Sequence, residues 1–256
     1  MNIFPTDIDP IILVLAVIAT LSAGFVKGAV GFGMPMITIS ILGSFLAPEV
    51  ALAALIVPTL VSNGWQALRG GVLSAWQALV EFRIFIGALL VFIALSAQLV
   101  GRIPSSAMFL VIGIPVTVFA ATQLFGWQFS IPPRHRGKSQ VILGSIAGIV
   151  GGISGVWGPP TVAYLTATQV PKQEHIRVQG VVYCIGAIVL FFAHLKSGVL
   201  NAATLPLSFW LVIPAMAGMV LGFVLQDRLD QVKFRKLTLV VLVVAGLNLL
   251  RRGLMG

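Results

Sequence analysis

The chain has 256 residues, of which 58% are hydrophobic and 9% charged, against about 25% charged in ordinary soluble domains. One soluble fold of this length cannot hide that much apolar surface, so lipid must cover much of it, and at about 20 residues per crossing there is room for roughly eight to ten passes. The formal charge is +9, from 16 Lys and Arg against 7 Asp and Glu, but the basic residues stand between apolar runs, where they set topology at a membrane surface rather than serve a nucleic acid.

The N-terminal MNIFPTDIDP is acidic and has no basic n-region or small-residue cleavage site, so the first apolar run is expected to be a retained span rather than a signal peptide. Ten apolar segments follow: 8–30, 34–47, 49–68, 84–101, 106–127, 139–156, 159–170, 176–196, 206–226 and 236–252. The polar stretch QFSIPPRHRGKSQ at 128–140 separates the fifth from the sixth. Its two prolines and its Arg134, His135, Arg136 and Lys138 mark a basic cytoplasmic linker. The expected organisation is a first repeat over 1–127, a linker over 128–138 and a second repeat over 139–256. The single cysteine, Cys184, lies in an apolar run and forms no internal disulfide. No spacing of ligating side chains calls for a metal or any other cofactor.

Two motifs recur in order. GFVKGAVGFGMP (24–35) is echoed by GIVGGISGVWGPP (148–160), so that Gly24, Gly28, Gly31 and Pro35 fall on Gly148, Gly152, Gly155 and Pro159. LRGGVL (68–73) is echoed by LKSGVL (195–200). Such self-similarity marks a duplicated chain. With the linker inside, alternation places Lys27, Arg69, Arg83, Lys172, Arg177, Arg228, Lys233, Arg235 and Lys236 on the cytoplasmic side. It places Arg102, Lys196, Arg251 and Arg252 outside, as the positive-inside rule prefers. Five segments per half is an odd number, so the second half is expected to be inverted relative to the first. The fold class expected is an all-α polytopic membrane protein of two inverted repeats, with about eight to ten transmembrane or half-spanning helices.

Residues 35–47 and 159–170 are too short to cross a core of about 30 Å. Each follows a glycine run and opens on a proline, read here as the first helical residue. The N–H groups beyond that proline, with the positive end of the helix dipole behind them, suit an anion. A matched pair of such broken segments points to a transporter site near the midplane. Close helix packing is the main expected role of Gly24/Gly28 and Gly148/Gly152.

These glycine and proline runs, the short segments after them and the basic central linker resemble the TauE/SafE family of sulfite and organosulfonate exporters, which includes 4-toluene sulfonate uptake permease-like proteins. The resemblance spans the chain from end to end. It implies a bacterial inner-membrane permease of seven to nine spans for anions such as sulfite, sulfoacetate or other sulfonates, with export as the expected direction.

The candidate substrate-binding residues are Lys27, Gly31, Gly33, Pro35, Asn63, Gln66, Gly155, Trp157, Pro159, Gln179, Tyr183 and His194. Lys27 has two readings, a charge partner for the anion or a lysine snorkelling to the cytoplasmic surface. Asn63 and Gln66 share one helix face, as sulfonate donors or as interhelical bonds. Trp157 walls the pocket or sits at an interface. His194 is a proton-coupling or anion-binding group, or a packing histidine, and Lys27→Ala and His194→Ala are both expected to weaken flux. Arg69 and Lys196 read as interface anchors before vestibule residues. The acids Asp7, Asp9, Glu49, Glu81, Glu174, Asp227 and Asp230 all lie in or beside loops. A cation carrier would place one inside a span.

The implied partners are a small anionic substrate, the lipid bilayer and a candidate coupling proton, without nucleic acid; the sequence leaves the oligomeric state open. A membrane enzyme is the weaker reading, because the three histidines fall in separate segments and no nucleophile–base pair or metal spacing occurs. The alternatives kept beside a sulfur-anion carrier working by alternating access are a passive anion channel and a permease for a non-sulfur organic anion.

Overall fold

The computed structural model describes residues 9–126, 130–228 and 230–255. Residues 1–8, with Asp7 of the acidic N-terminus, and residues 128 and 129 of the expected linker lie outside the described residues, as do the side chains of Lys172 and Asp227. Among the described residues every element is helical: α1 (Pro10–Val30), α2 (Met34–Leu42), α3 (Pro48–Leu68), α4 (Val72–Glu81), α5 (Arg83–Ser96) continued by a 3-10 turn over Ala97–Arg102, α6 (Ser105–Leu124), α7 (Arg136–Ser154), α8 (Gly158–Ala167), α9 (Lys172–Ser197), α10 (Leu205–Trp210), α11 (Val212–Leu225) and α12 (Gln231–Met255). Among the described residues, seven stretches are long and apolar enough to cross a membrane: Pro10–Val30, Pro48–Leu68, Arg83–Arg102, Ser105–Leu124, Arg177–Ser197, Leu205–Leu225 and Val232–Met255. The protein is therefore an all-α, multi-pass membrane protein.

Local chemistry sets the ends. Asp9 Oδ1 accepts from the Ile11 N–H at 2.7 Å, and Pro10 opens α1. α3 starts on Pro48 with Glu49 in its first turn. Inside α3, Pro58 has no N–H for the Ala54 carbonyl. The Ser208 hydroxyl of α10 takes that carbonyl at 3.4 Å and accepts from the Val57 N–H at 3.1 Å.

Three elements differ from the sequence expectation. Residues 72–81 form α4, hidden from an apolar scan by Ser74, Gln77 and Glu81 and with only Ala78 buried. α7 opens at Arg136, inside the stretch read as linker, after a 3-10 turn over Pro133–His135. The segment 206–226 is two helices meeting at Leu211, because Pro214 supplies no N–H to the turn before it.

Each helix of the first half has a counterpart in chain order in the second: α1 and α7, α2 and α8, α3 and α9, α4 and α10, α5 and α11, α6 and α12. The neighbours follow that exchange, since α1 packs on α11 and α7 on α5, while α3 meets α9 and α6 meets α12. Glycines make these seams tight. A Cβ on Gly24 or Gly28 would stand 2.1 Å from the carbonyl oxygen of Ala215 or Met219. One on Gly144, Gly148 or Gly152 would stand 2.6, 2.5 or 2.7 Å from those of Phe85, Leu89 or Ile93. In both seams the residue numbers rise together, so those helices run parallel. In the α6–α12 seam Gly113 meets Leu250 and Gly246 meets Thr117, so these helices run antiparallel. α3 and α9 are antiparallel as well, with Gly180 against Ala67 and Asn63 bonded to Tyr183. α3 is the central helix, fully covered from Ala51 to Pro58.

Candidate functional site

The two breaks are built alike. α1 stops where Gly31 turns left-handed at φ 84°, its N–H returning to the Lys27 carbonyl at 2.7 Å. Gly33 is left-handed too, at φ 95°, and α2 starts at Met34. α7 stops where Gly155 turns left-handed at φ 72°, its N–H returning to Gly151 at 2.7 Å, and α8 starts at Gly158. A residue with a Cβ meets a steric penalty of roughly 1–2 kcal/mol in this backbone region, so glycine at these corners is a condition of the break.

The prolines sit one place later than expected. Met34 and Gly158 are the first helical residues, and Pro35 and Pro159 the second. Pro160 follows in α8, so the expectation of several free N–H groups beyond Pro159 is corrected: two successive residues there have none. α2 offers Met34 and Met36 as donors and α8 offers Gly158, and no side chain caps either start. α2 has 9 residues and α8 has 10, or about 13–15 Å of helix each.

The two starts meet at one cavity. Phe32, Gly33, Pro35 and Met36 line it from the first break, and Gly155, Val156, Trp157 and Gly158 from the second. Asn63 of α3 and Tyr183 of α9 complete the wall. Trp157 and Tyr183 are buried and meet edge to face, ring centroids 6.3 Å apart. The Tyr183 hydroxyl is buried and has no hydrogen-bond partner in the structure. It stands beside Gly158, where a Cβ would lie 3.3 Å from it.

Lys27 does not snorkel. It is 1% exposed, and its ammonium donates to Ser62 Oγ at 2.9 Å and to Asn63 Oδ1. The cytoplasmic surface position inferred for it by alternation is therefore corrected: the break at Gly31 keeps the last turn of α1 inside the helix packing. Lys27 stands behind Asn63 and is not itself on the cavity wall. One N–H of the Asn63 amide is committed as well, since its Nδ2 donates to the Tyr183 carbonyl at 3.2 Å. Gln66, one turn on, donates to the Gly31 carbonyl at 3.1 Å and ties the corner of the break to α3.

Other expected residues lie elsewhere. Gln179 is buried on α9, one turn before Tyr183, and Gly31 forms the corner of the first break; the cavity wall includes neither. His194 is fully buried against α7, with Nε2 2.9 Å from the Gly152 carbonyl and Nδ1 3.0 Å from Ser197 Oγ. It follows Tyr183 on α9 by about 16 Å of helix rise and sits outside the cavity. Arg69 and Lys196 are exposed, and the Arg69 guanidinium lies over the Phe223 ring at 4.4 Å. Phe32, Met36, Ser62, Val156 and Gly158 were missed. Ser62 shares a helix face with Gln66, four residues on, and that spacing is the one signal that pointed to it.

Around this cavity the directed polar groups are donors: helix-start N–H groups, an amide held by a lysine and a phenol. The described acids lie at helix ends, with Asp9 capping α1, Glu49 in the first turn of α3 and Glu174 in the first turn of α9. The arrangement suits a small anion with an apolar body resting on Phe32, Met36 and Trp157.

A family model described as "Sulfite exporter TauE/SafE" matches residues 16–249. No curated protein and no solved structure matches the chain.

Proposed function

The chain belongs to the TauE/SafE sulfite exporter family, whose members are transporters, and on that premise we propose that it is a secondary transporter of the bacterial inner membrane that moves a small sulfur-containing anion. Sulfite, sulfoacetate and other organosulfonates are the substrates in view, and export is the direction. The observation that carries the reading is the single cavity between the starts of α2 and α8, one from each half, with donors on its wall and Lys27 behind it. Two helix N-termini open onto one space whose wall is otherwise mostly apolar, which suits a small anion with an apolar body.

The antiparallel course of α3 against α9 and of α6 against α12 supports treating residues 1–127 and 139–256 as inverted repeats about an axis in the membrane plane. The exposed Arg134, His135, Arg136 and Lys138 support a cytoplasmic linker between them. In this reading the two halves rock about the cavity and open it to each side in turn. The substrate rests on the Met36 and Gly158 N–H groups, the Asn63 amide and the Tyr183 hydroxyl.

The test is a thermal-shift screen of the purified protein against sulfite, sulfate, thiosulfate, sulfoacetate, taurine and simple carboxylates. A bound anion at a hundred times its Kd adds about 2.7 kcal/mol of stability. Flux in proteoliposomes follows, and a steep dependence of that flux on a proton gradient separates a carrier from a passive channel. If no sulfur anion stabilises the protein or crosses the vesicle, the proposal fails.

A further inference from the structure

Lys27 lies in the last turn of α1, just before the break at Gly31. The last turn of a helix carries the negative end of its dipole. Where a transporter helix breaks inside the membrane, that end holds the coupling cation, while the start of the next half-helix faces the anion. Here the residue in that last turn is itself a cation. The ammonium is buried, and its ligands are oxygens, Ser62 Oγ at 2.9 Å and Asn63 Oδ1. On the same face of α3, Thr59 keeps a fully buried hydroxyl with no hydrogen-bond partner in the structure. The second half has no equivalent charge. The counterpart of Lys27 is Gly151, and a Cβ there would stand 2.9 Å from the Trp157 indole, so that position is filled by a ring.

Resting on the transporter reading above, we propose that the Lys27 ammonium is a tethered cation in the place of a free coupling ion, so that the anion moves without Na+, and that removing the side chain leaves an oxygen-lined site for a free monovalent cation. Such a cation has the dipole end of α1, Ser62, Asn63 and the unused Thr59 hydroxyl to bind to. It also restores the charge that holds the Asn63 oxygen away from the cavity.

The experiment compares wild type, Lys27→Ala and Lys27→Met in proteoliposomes with sulfite as the probe, in sodium chloride, methylammonium chloride or N-methylglucamine chloride. Wild-type flux is expected to be equal in all three. Lys27→Ala is expected to lose about tenfold in N-methylglucamine and to regain at least about threefold in sodium or methylammonium. Lys27→Met, whose side chain fills the space without charge, is expected to be low in every salt. Sodium dependence of the wild type overturns the inference, as does full flux in Lys27→Ala without a small cation, or a loss that no cation reverses. Thermal stability of the detergent-purified variants gives a second readout that needs no transport. Sodium or methylammonium is expected to raise the Tm of Lys27→Ala and not that of Lys27→Met, and equal shifts in the two overturn the inference. If wild type moves no sulfite while this shift appears, the substrate reading has failed and the cation site stands.

Discussion

The Lys27 ammonium donates to the side-chain oxygen of Asn63, and that contact decides which end of the amide is left for the cavity. An ammonium has three donors and no acceptor. Asn63 must therefore give it the oxygen and turn its NH2 toward α9, where one N–H reaches the Tyr183 carbonyl at 3.2 Å. A residue not on the wall thus gives the wall its polarity.

Asn63→Asp tests that relationship. The new carboxylate keeps the shape, holds Lys27 more strongly and brings negative charge to the edge of the cavity in place of an N–H donor. Sulfite Kd, measured by titration of the purified protein, is expected to rise about tenfold or more, with the protein still folded. An unchanged Kd removes Asn63 from the site.

Tyr183→Phe separates binding from stability. The hydroxyl has no partner in the structure, and deleting a buried unpaired polar group does not cost stability. Tm without ligand is expected to stay level or rise, while anion affinity falls by roughly threefold to tenfold, the worth of about one hydrogen bond. A lower Tm with unchanged affinity contradicts this assignment.

His194→Ala is expected to act on stability first, against the sequence expectation of a direct effect on flux. The ring fills the space between α9 and α7 and is within hydrogen-bond distance of the Gly152 carbonyl. Truncation leaves that carbonyl unpaired in a buried place, at about 1–3 kcal/mol. Thermal unfolding is expected to show the loss, and flux per folded molecule to stay near that of wild type. A flux defect in fully stable protein returns His194 to the mechanism.

Gly155→Ala addresses the second break. The methyl group meets both an unfavourable backbone region, at φ 72°, and Leu55 Cδ1 at 2.7 Å. The combined cost is on the order of 2–4 kcal/mol, expected as a lower Tm together with lost anion stabilisation. A variant with wild-type Tm and binding means that α7 and α8 tolerate another turn, and the cavity does not depend on this corner.

The amino-acid sequence on its own determined the class of the protein and the places where it breaks. Apolar runs of span length, basic residues between them and two glycine–proline punctuated segments are local features, each set by the steric and solvation preferences of a few neighbouring residues. They led to α1, α2, α7 and α8 with small errors at the ends. They overlooked α4, whose polar residues mask it, and the division of α10 from α11 at Leu211. Tertiary structure alone decided what the breaks enclose. That Gly33 and Gly158 face one cavity, that Lys27 turns inward to Ser62 and Asn63, and that His194 packs on Gly152 depend on which helices are neighbours. Those contacts join residues tens of positions apart, and no local preference encodes them: a buried ammonium takes whatever oxygens the packing brings within reach.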